Sequence, residues 1–339
     1  MSSFRPLFIH QYPDWTKFRY NMQRVLDALG QTRLAEGKLI GVSSILGDAL
    51  AGTEMLAQDV AANFALDGYS LDPIDIRAEI EKKNAGNDVV RNFAGALQNA
   101  KQPLTLDRIF AWHASVGQNK VKKFRSRENS AGAFSGVSFD RVPLEMERFV
   151  DWFENSTQDG ALKAAIAHFW FLTIRPFDDG NGRIARMLST MLLARSENTA
   201  HLEYAVNAEI LKNRDEYIDR LFSAQSGNGD ITEWILWFLK MLKNAVETRE
   251  KEMESSLQKM LFTQKLQRVS LSERERRIVD AVWDGTLPQK FSVKEAAALT
   301  GTSHDSALRD IQSMISKGVV RAESKGGRSQ KYSLVAVST

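Results

Sequence analysis

Apolar positions recur every three or four residues over most of this chain and alternate over very little of it, a spacing that predicts helices rather than sheets. The segment DWTKFRYNMQRVLDALGQTRLAEGKLIGV opens the pattern, with Asp14 placed to cap its start. A second apolar-rich segment runs from Ser44 to about Leu66, where DGYSLDP interrupts it with Gly68 and Pro73, and IDIRAEIEKK reads as a third helix. LTLDRIFAWHASV, PLEMERFVDWFEN and GALKAAIAHFWFLTI follow. The last is apolar on nearly every side, the mark of a helix buried in a core. Before it lies a polar, basic stretch, GQNKVKKFRSRENSAGAFSGVSFDRVP, in which FSGVSF suits a short hairpin. RIARMLSTMLLAR, ILKNRDEYIDRLFSAQ and ITEWILWFLKMLKNAVETREKEMESSLQKM each read as one helix. From Leu271, two short helices around GTS lead into a strand–loop–strand, the order of a winged helix-turn-helix. The expected fold class is mainly α.

Composition narrows the setting. The apolar fraction of 43% is that of a globular chain, and no run of about 18 apolar residues marks a membrane span. The absence of cysteine removes disulfides and thiolate metal sites and fits a cytoplasmic protein. Charge adds one detail: from Leu271 onward 11 Lys and Arg face 8 Asp and Glu, so the net +3 of the whole chain sits in its tail. That is a mild pointer to a DNA partner for the tail.

The chemistry concentrates in TIRPFDDGNGRIAR, Thr173 to Arg186, a loop between the buried helix and the next one. First-turn N–H groups of a helix lack intrahelical partners and sit at the positive end of its dipole. Gly180 and Gly182 let that backbone approach an anion closely, and Arg183 and Arg186, three apart, share a helix face. Asp179 is a hard oxygen ligand of the kind that holds magnesium beside phosphates. The plain alternative is a helix N-cap loop with surface arginines.

The whole run resembles the signature of the Fic family, His-x-Phe-x-Asp/Glu-Gly-Asn-Gly-Arg-x-x-Arg, and AWHASV, DWF and AHFWFLTI before it and MLLAR after it agree. QYPDWTKFRYN and ALRDIQSMISKGVVRAESKGGRSQKYSL resemble the flanking domains of a bacterial subgroup. The resemblance implies a Fic-type helical core with a short β-hairpin flap, an N-terminal helical domain over 1–90, the Fic domain over 91–250, a helical linker over 251–270 and a winged helix-turn-helix over 271–339. It implies AMP transfer from ATP, with Mg2+, to a Ser, Thr or Tyr hydroxyl of a target protein. Asp179 would hold the metal. Gly180, Asn181, Gly182 and Arg183 would bind the α- and β-phosphates, Arg186 the γ-phosphate, and Phe177 would anchor the loop. GAFSGVSF would be the flap, and Tyr204 and Tyr217 fall near the nucleotide-base side. NFALDG matches the family's inhibitory helix in degenerate form, with Asn63 for its hydroxyl residue, Asp67 for its glutamate and Gly68 retained; a shorter acid is expected either to fall short of Arg186 or to reach it only with movement. A helix end with a glycine cap is the equal alternative. A homodimer is a further expectation.

One position departs from the signature. Arg175 stands where the family has the histidine that takes the hydroxyl proton. An arginine has no acceptor lone pair and stays protonated, so it cannot be that base. His168, seven residues back and about 10 Å away along a helix, is too far to replace it and reads as a satisfied core residue; neither Asp178 nor His113 offers a rescue. The expectation is a Fic-type adenylyltransferase that is inactive or severely impaired. The alternatives are a nucleotide-binding pseudoenzyme and an ATP-sensing DNA-binding regulator. In the latter, His304, Ser306 and Arg309 would reach the groove, and Lys325, Arg328 and Lys331 would contact phosphate.

Overall fold

The structure, a computed structural model, describes residues 7–46, 51–82, 88–116, 123–267, 269–323 and 330–335. It divides into two compact units, Met1–Glu250 and Lys251–Thr339. In the first, α1 spans Met22–Leu46, α2 Ala51–Ala65, α3 Pro73–Glu81, α4 Asp88–Gln98 and α5 Leu106–Val116. A two-stranded antiparallel hairpin follows, β1 Ser130–Ala131 and β2 Phe134–Ser135. Then come α6 Val142–Asn155, α7 Gly160–Ile174, α8 Asn181–Glu197, α9 Val206–Lys212, α10 Arg214–Gln225 and α11 Thr232–Leu266, whose residues after Glu250 belong to the second unit. No helix among the described residues is long and apolar enough to cross a membrane.

The first unit is built around α7. Every residue from Ala161 to Ile174 is buried, as its all-round apolar pattern requires. Asp159 caps it, accepting from Ala161 N at 2.8 Å. Helix α8 packs along its length, and Trp234 of α11 donates from Nε1 to the Ala165 carbonyl at 2.8 Å. Helix α2 is fastened to α9 by a buried carboxylate: Asp59 accepts from Asn207 N and Asn207 Nδ2, both at 2.7 Å.

Three sequence expectations are corrected. Asp14 caps no helix and instead pairs with Lys17 at 3.4 Å. Main-chain bonds from Arg19 N to Gly229 O and from Ile231 N to Arg19 O hold the chain extended there. Helix α1 therefore starts only at Met22, with Asn21 Oδ1 accepting from Arg24 N at 3.1 Å. The hairpin lies earlier than FSGVSF, because Gly132 supplies the left-handed turn at φ 58° and Phe134–Ser135 becomes the second strand. The single helix expected over ILKNRDEYIDRLFSAQ is two, broken at Asn213, whose Nδ2 donates back to the Glu209 carbonyl at 2.9 Å.

The second unit holds α12 Glu273–Trp283, α13 Val293–Thr300 and α14 His304–Ser316, then the antiparallel strands β3 Val320–Ala322 and β4 Tyr332–Leu334. Capping boxes start α12 (Ser272 with Glu275) and α13 (Ser292 with Glu295), and left-handed Gly301 ends α13. Ile278, Phe291, Ala296, Ala307, Ile311 and Met314 form its core.

Candidate active site

The sequence motif becomes a tight loop because its own side chains lock it. Phe177, 1% exposed, is stacked on His113 at 3.9 Å and sits among Phe110, Phe124 and Phe171. Asn181 closes the loop upon it. Its Oδ1 accepts from Phe177 N at 3.0 Å and its Nδ2 donates to Phe177 O at 2.7 Å. The side chain expected to bind a nucleotide is thus committed to the loop, and what Asn181 presents outward is its first-turn main-chain N–H. Gly180 caps α8 in the left-handed region at φ 77°. A side chain at Gly182 would sit 2.9 Å from Arg186 Nη1 and 3.2 Å from Asp67 Oδ1, so it would crowd the ends of both side chains.

A cavity of about 290 Å3 opens over this loop, lined by Asp67, Leu172, Arg175, Asp178, Asp179, Gly180, Asn181, Gly182, Arg186, Arg214 and Tyr217 among others. Arg183 is not in its wall. That guanidinium donates to the Val116 carbonyl at 2.5 Å and to Asp179 Oδ2 at 2.8 Å, and lies over the Tyr69 ring at 4.8 Å.

Asp67 joins the two arginines. Its Oδ1 accepts from Arg186 Nη2 at 2.9 Å, and its Oδ2 is an ion-pair partner of Arg183 Nε at 3.0 Å without hydrogen-bond alignment. The missing methylene does not prevent the contact, which corrects the expectation that reach would require movement. The reason is main-chain geometry. Gly68, at φ 86°, donates to Ala65 O, and Tyr69 N donates to Phe64 O, the paired bonds of a Schellman helix end. They set the Cα of Asp67 at the close of α2. Asn63 completes the clamp from one turn back: Arg186 Nε donates to its Oδ1 at 2.7 Å and Arg186 Nη2 to its carbonyl at 2.9 Å. Both alternatives for NFALDG are therefore present in one place, a glycine-capped helix end and an acid on the loop arginines.

Arg175 is the C-cap of α7, in the left-handed region at φ 51°. Its Nη2 and Nε donate to Asn129 Oδ1 at 3.1 and 3.2 Å, and Nη2 approaches the Ser130 carbonyl of β1 at 3.5 Å. Burial, and then the Arg125 charge, push the guanidinium below the ordinary arginine range. Asn129 also donates from Nδ2 to the carbonyls of Phe177 and Asp178 at 2.8 and 2.9 Å. Arg125, 4% exposed, donates to the Arg175 carbonyl at 2.7 Å and to the Val137 carbonyl. Together these two residues fasten the hairpin to the end of α7.

The other expected residues fall as follows. His168 is fully buried, with Nδ1 3.1 Å from Ser189 Oγ and Nε2 2.9 Å from the Tyr217 hydroxyl; burial, aided by Arg186, lowers its pKa to about 3. It is a neutral core residue. Asp178 pairs with Arg127 at 3.3 Å. Tyr217 lines the cavity, whereas Tyr204 lines a different one beside Glu36. In the second unit His304, Ser306 and Arg309 all lie on α14, and His304 and Arg309 are exposed. Lys331 pairs with Glu295 at 2.9 Å. Lys325 and Arg328 lie outside the described residues. Sequence reasoning missed Asn129, Arg125 and Arg214. Their spacing carries no period, and their partners lie about fifty to 150 residues away.

Comparison with known proteins agrees with this geometry. Residues 103–193 match the family model Fic/DOC family, and residues 8–83 match Domain of unknown function (DUF4172). Protein adenylyltransferase fic-1 of Caenorhabditis elegans is 32% identical over 107 residues, 30% of this chain and 21% of the relative. A probable protein adenylyltransferase of Aquifex aeolicus is 34% identical over 87 residues, 25% of each chain. The matched stretches thus span only about a fifth to a quarter of these relatives. In fold, the chain resembles a Fic family protein from Desulfovibrio desulfuricans G20, with a TM-score of 0.57 at 19% identity, covering 94% of this chain and 98% of that one. C. elegans Fic-1 gives 0.53 at 21% identity, covering 68% and 74%. Over residues 103–193, then, the chain is similar to the Fic/DOC family, and its fold resembles that of solved Fic proteins.

Proposed function

We propose that this chain is a Fic-type protein adenylyltransferase scaffold that binds ATP but transfers AMP to target hydroxyls very slowly or not at all. The observation that carries the reading is Arg175. It lines the same cavity as Asp179, Gly180, Gly182 and Arg186 and faces Asn129 and Ser130, at the start of the hairpin, with donors only. A hydroxyl nucleophile needs an acceptor for its proton there, and a guanidinium offers none.

The residues present suit the phosphates and a divalent cation. A tight approach at Gly182, the free N–H groups of the first turn of α8, and Arg186 would hold the phosphates. Asp179, on the cavity wall with its side chain 40% exposed, would hold Mg2+, which supplies charge neutralisation to the phosphates. In this reading Asp67 is a brake, because it occupies the Arg186 donor that a γ-phosphate would use. The activity, the Ser, Thr or Tyr acceptor on a target protein, a homodimeric state and a cytoplasmic location all belong to this proposal.

The test is transfer of α-labelled AMP from ATP with Mg2+ to bacterial lysate proteins and to the chain itself. It compares the chain with Arg175, Arg175→His, and Arg175→His with Asp67→Gly. Label from either histidine variant alone supports the scaffold reading. Label from the chain with Arg175 overturns it. ATP binding without label in any variant favours the alternative, a nucleotide-binding pseudoenzyme. A DNA-binding regulator is favoured in turn by the exposed His304 and Arg309 on α14, which follows the turn after α13 and precedes a β-hairpin.

A further inference from the structure

Helix α1 is apolar on two sides, and the fold buries one of them. Val25, Ala35 and Leu39 face inward, and Thr32 Oγ1 approaches the Leu239 carbonyl of α11 at 3.5 Å. On the far side Met22, Leu26, Leu34, Ile40 and Ile45 are between 51% and 65% exposed. A helix apolar all round belongs in an interior, and an exposed apolar stripe marks an interaction surface. Gly30, Gly37 and Gly41 lie on this same exposed side. A Cβ at any of the three would stand in open space, with no atom beyond its own stretch of helix within 4 Å. Glycine inside a helix is destabilising relative to alanine, and nothing in the chain's own packing asks for it here. At about 100° per residue the three glycines fall within about 40° of one another around the axis, with Leu26 and Leu34 about 20° outside them on either side.

The order of large and small residues along that face is complementary to itself when two copies meet antiparallel. Setting Gly30 opposite Leu34 puts the two-fold axis at residue 32. In that register Leu26 falls opposite Lys38, beside Gly37, and Met22 falls opposite Val42, beside Gly41. Charge selects the same arrangement. Arg24, Arg33 and Glu36 form ion pairs within the chain, whereas Asp27 and Lys38 have no ion-pair partner among the described residues. Antiparallel pairing sets Asp27 opposite Gly37, next to Lys38; a parallel pair would stack like charge on like. We propose that the exposed face of α1 binds the same face of a second copy of this chain, as an antiparallel helix pair. The backbones approach at the glycines, and Asp27 of each copy meets Lys38 of the other. This gives the homodimeric state proposed above a surface, and it rests on no part of the transfer chemistry.

Sedimentation velocity of the full chain between about 1 and 100 µM tests it. A reversible dimer is expected, weakened about tenfold or more by Leu34→Asp, or by Gly30→Leu with Gly37→Leu. The leucines improve helix propensity, so at a concentration where the parent is monomeric the double variant's Tm should not fall, which separates lost pairing from lost folding. The chain has no cysteine, so Asp27→Cys and Lys38→Cys each place a single thiol. Oxidised together, these two variants should join as a mixed dimer. Asp27→Cys alone should not, because its two copies lie about 15 Å apart along the axis, beyond disulfide reach. A chain that stays monomeric throughout overturns the second copy as occupant and leaves the face to a helix of another protein. A dimer indifferent to these variants, or ready cross-linking of Asp27→Cys alone, overturns the antiparallel α1 pair. Mass and cross-linking are read without AMP transfer, so this surface and the proposed activity stand or fall separately.

Discussion

Asp67 Oδ1 lies 2.9 Å from Arg186 Nη2, and both residues line the cavity over the Gly180–Gly182 loop. Arg186 is 2% exposed and spends its Nε and Nη2 on Asn63 and Asp67. Replacing Asp67 with alanine removes the carboxylate on a buried guanidinium that Asn63 still holds, and an anion can then take its place. ATP with Mg2+ should bind Asp67→Ala about tenfold or more tightly than the parent, since a charge-assisted hydrogen bond of about 1.5–3 kcal/mol no longer competes. Isothermal titration measures it. An unchanged Kd would mean that the clamp does not stand in the ligand's way.

Asn129 is the joint between hairpin and loop. Asn129→Ala removes an acceptor from Arg175 and a donor from two carbonyls. We expect a loss of about 1–3 kcal/mol in stability, with faster amide hydrogen exchange confined to the hairpin and the loop. Exchange at Phe134 and Ser135 equal to that of the parent would show that the hairpin is held from elsewhere.

Glu197 gives the pH dependence a definite sign. Its carboxyl is protonated in the folded chain up to about pH 7, against an ordinary value of 4.5 when unfolded. Between those values the folded state binds more protons, so this group's contribution to stability is full below 4.5 and is lost as pH rises through 7. Glu197→Gln keeps the acceptor for Tyr204 and removes the titration. The parent's Tm should therefore fall more than the variant's between pH 5 and pH 8, by an amount equivalent to on the order of 2 kcal/mol. Parallel profiles would refute the assignment.

The DNA-binding alternative has its own test. The logarithm of the full chain's affinity for duplex DNA should fall linearly with log salt if the second unit contacts phosphates, and Lys331→Ala should shallow the slope by about one. A flat salt profile would remove DNA from the reading.

Much of the site is legible in the sequence because it is local. The all-round apolar pattern of GALKAAIAHFWFLTI requires a buried helix, and the loop after it carries glycines whose positive φ or lack of room is real. Asp14 resembles a cap because cap chemistry is short-range, but backbone pairing of Arg19 with residues more than 200 positions away moves the helix start to Met22. Side-chain length alone understates the reach of Asp67, because the turn at Gly68 sets where that side chain begins. Asn181 suits a phosphate by residue type, yet the nearest unsatisfied groups are the main chain of Phe177. Spatial partners, not residue types, account for each difference.

The main chain of Arg175 is held independently of its side chain. Its N–H donates to Phe171 O at 3.0 Å and its carbonyl accepts from Arg125 Nε at 2.7 Å, while Phe177 two residues on is locked in aromatic packing. Nothing in that scaffolding registers whether the residue bears a guanidinium or an imidazole. One base change converts a histidine codon to an arginine codon, so a lineage can retire the chemistry of such a site, or restore it, while inheriting the same architecture.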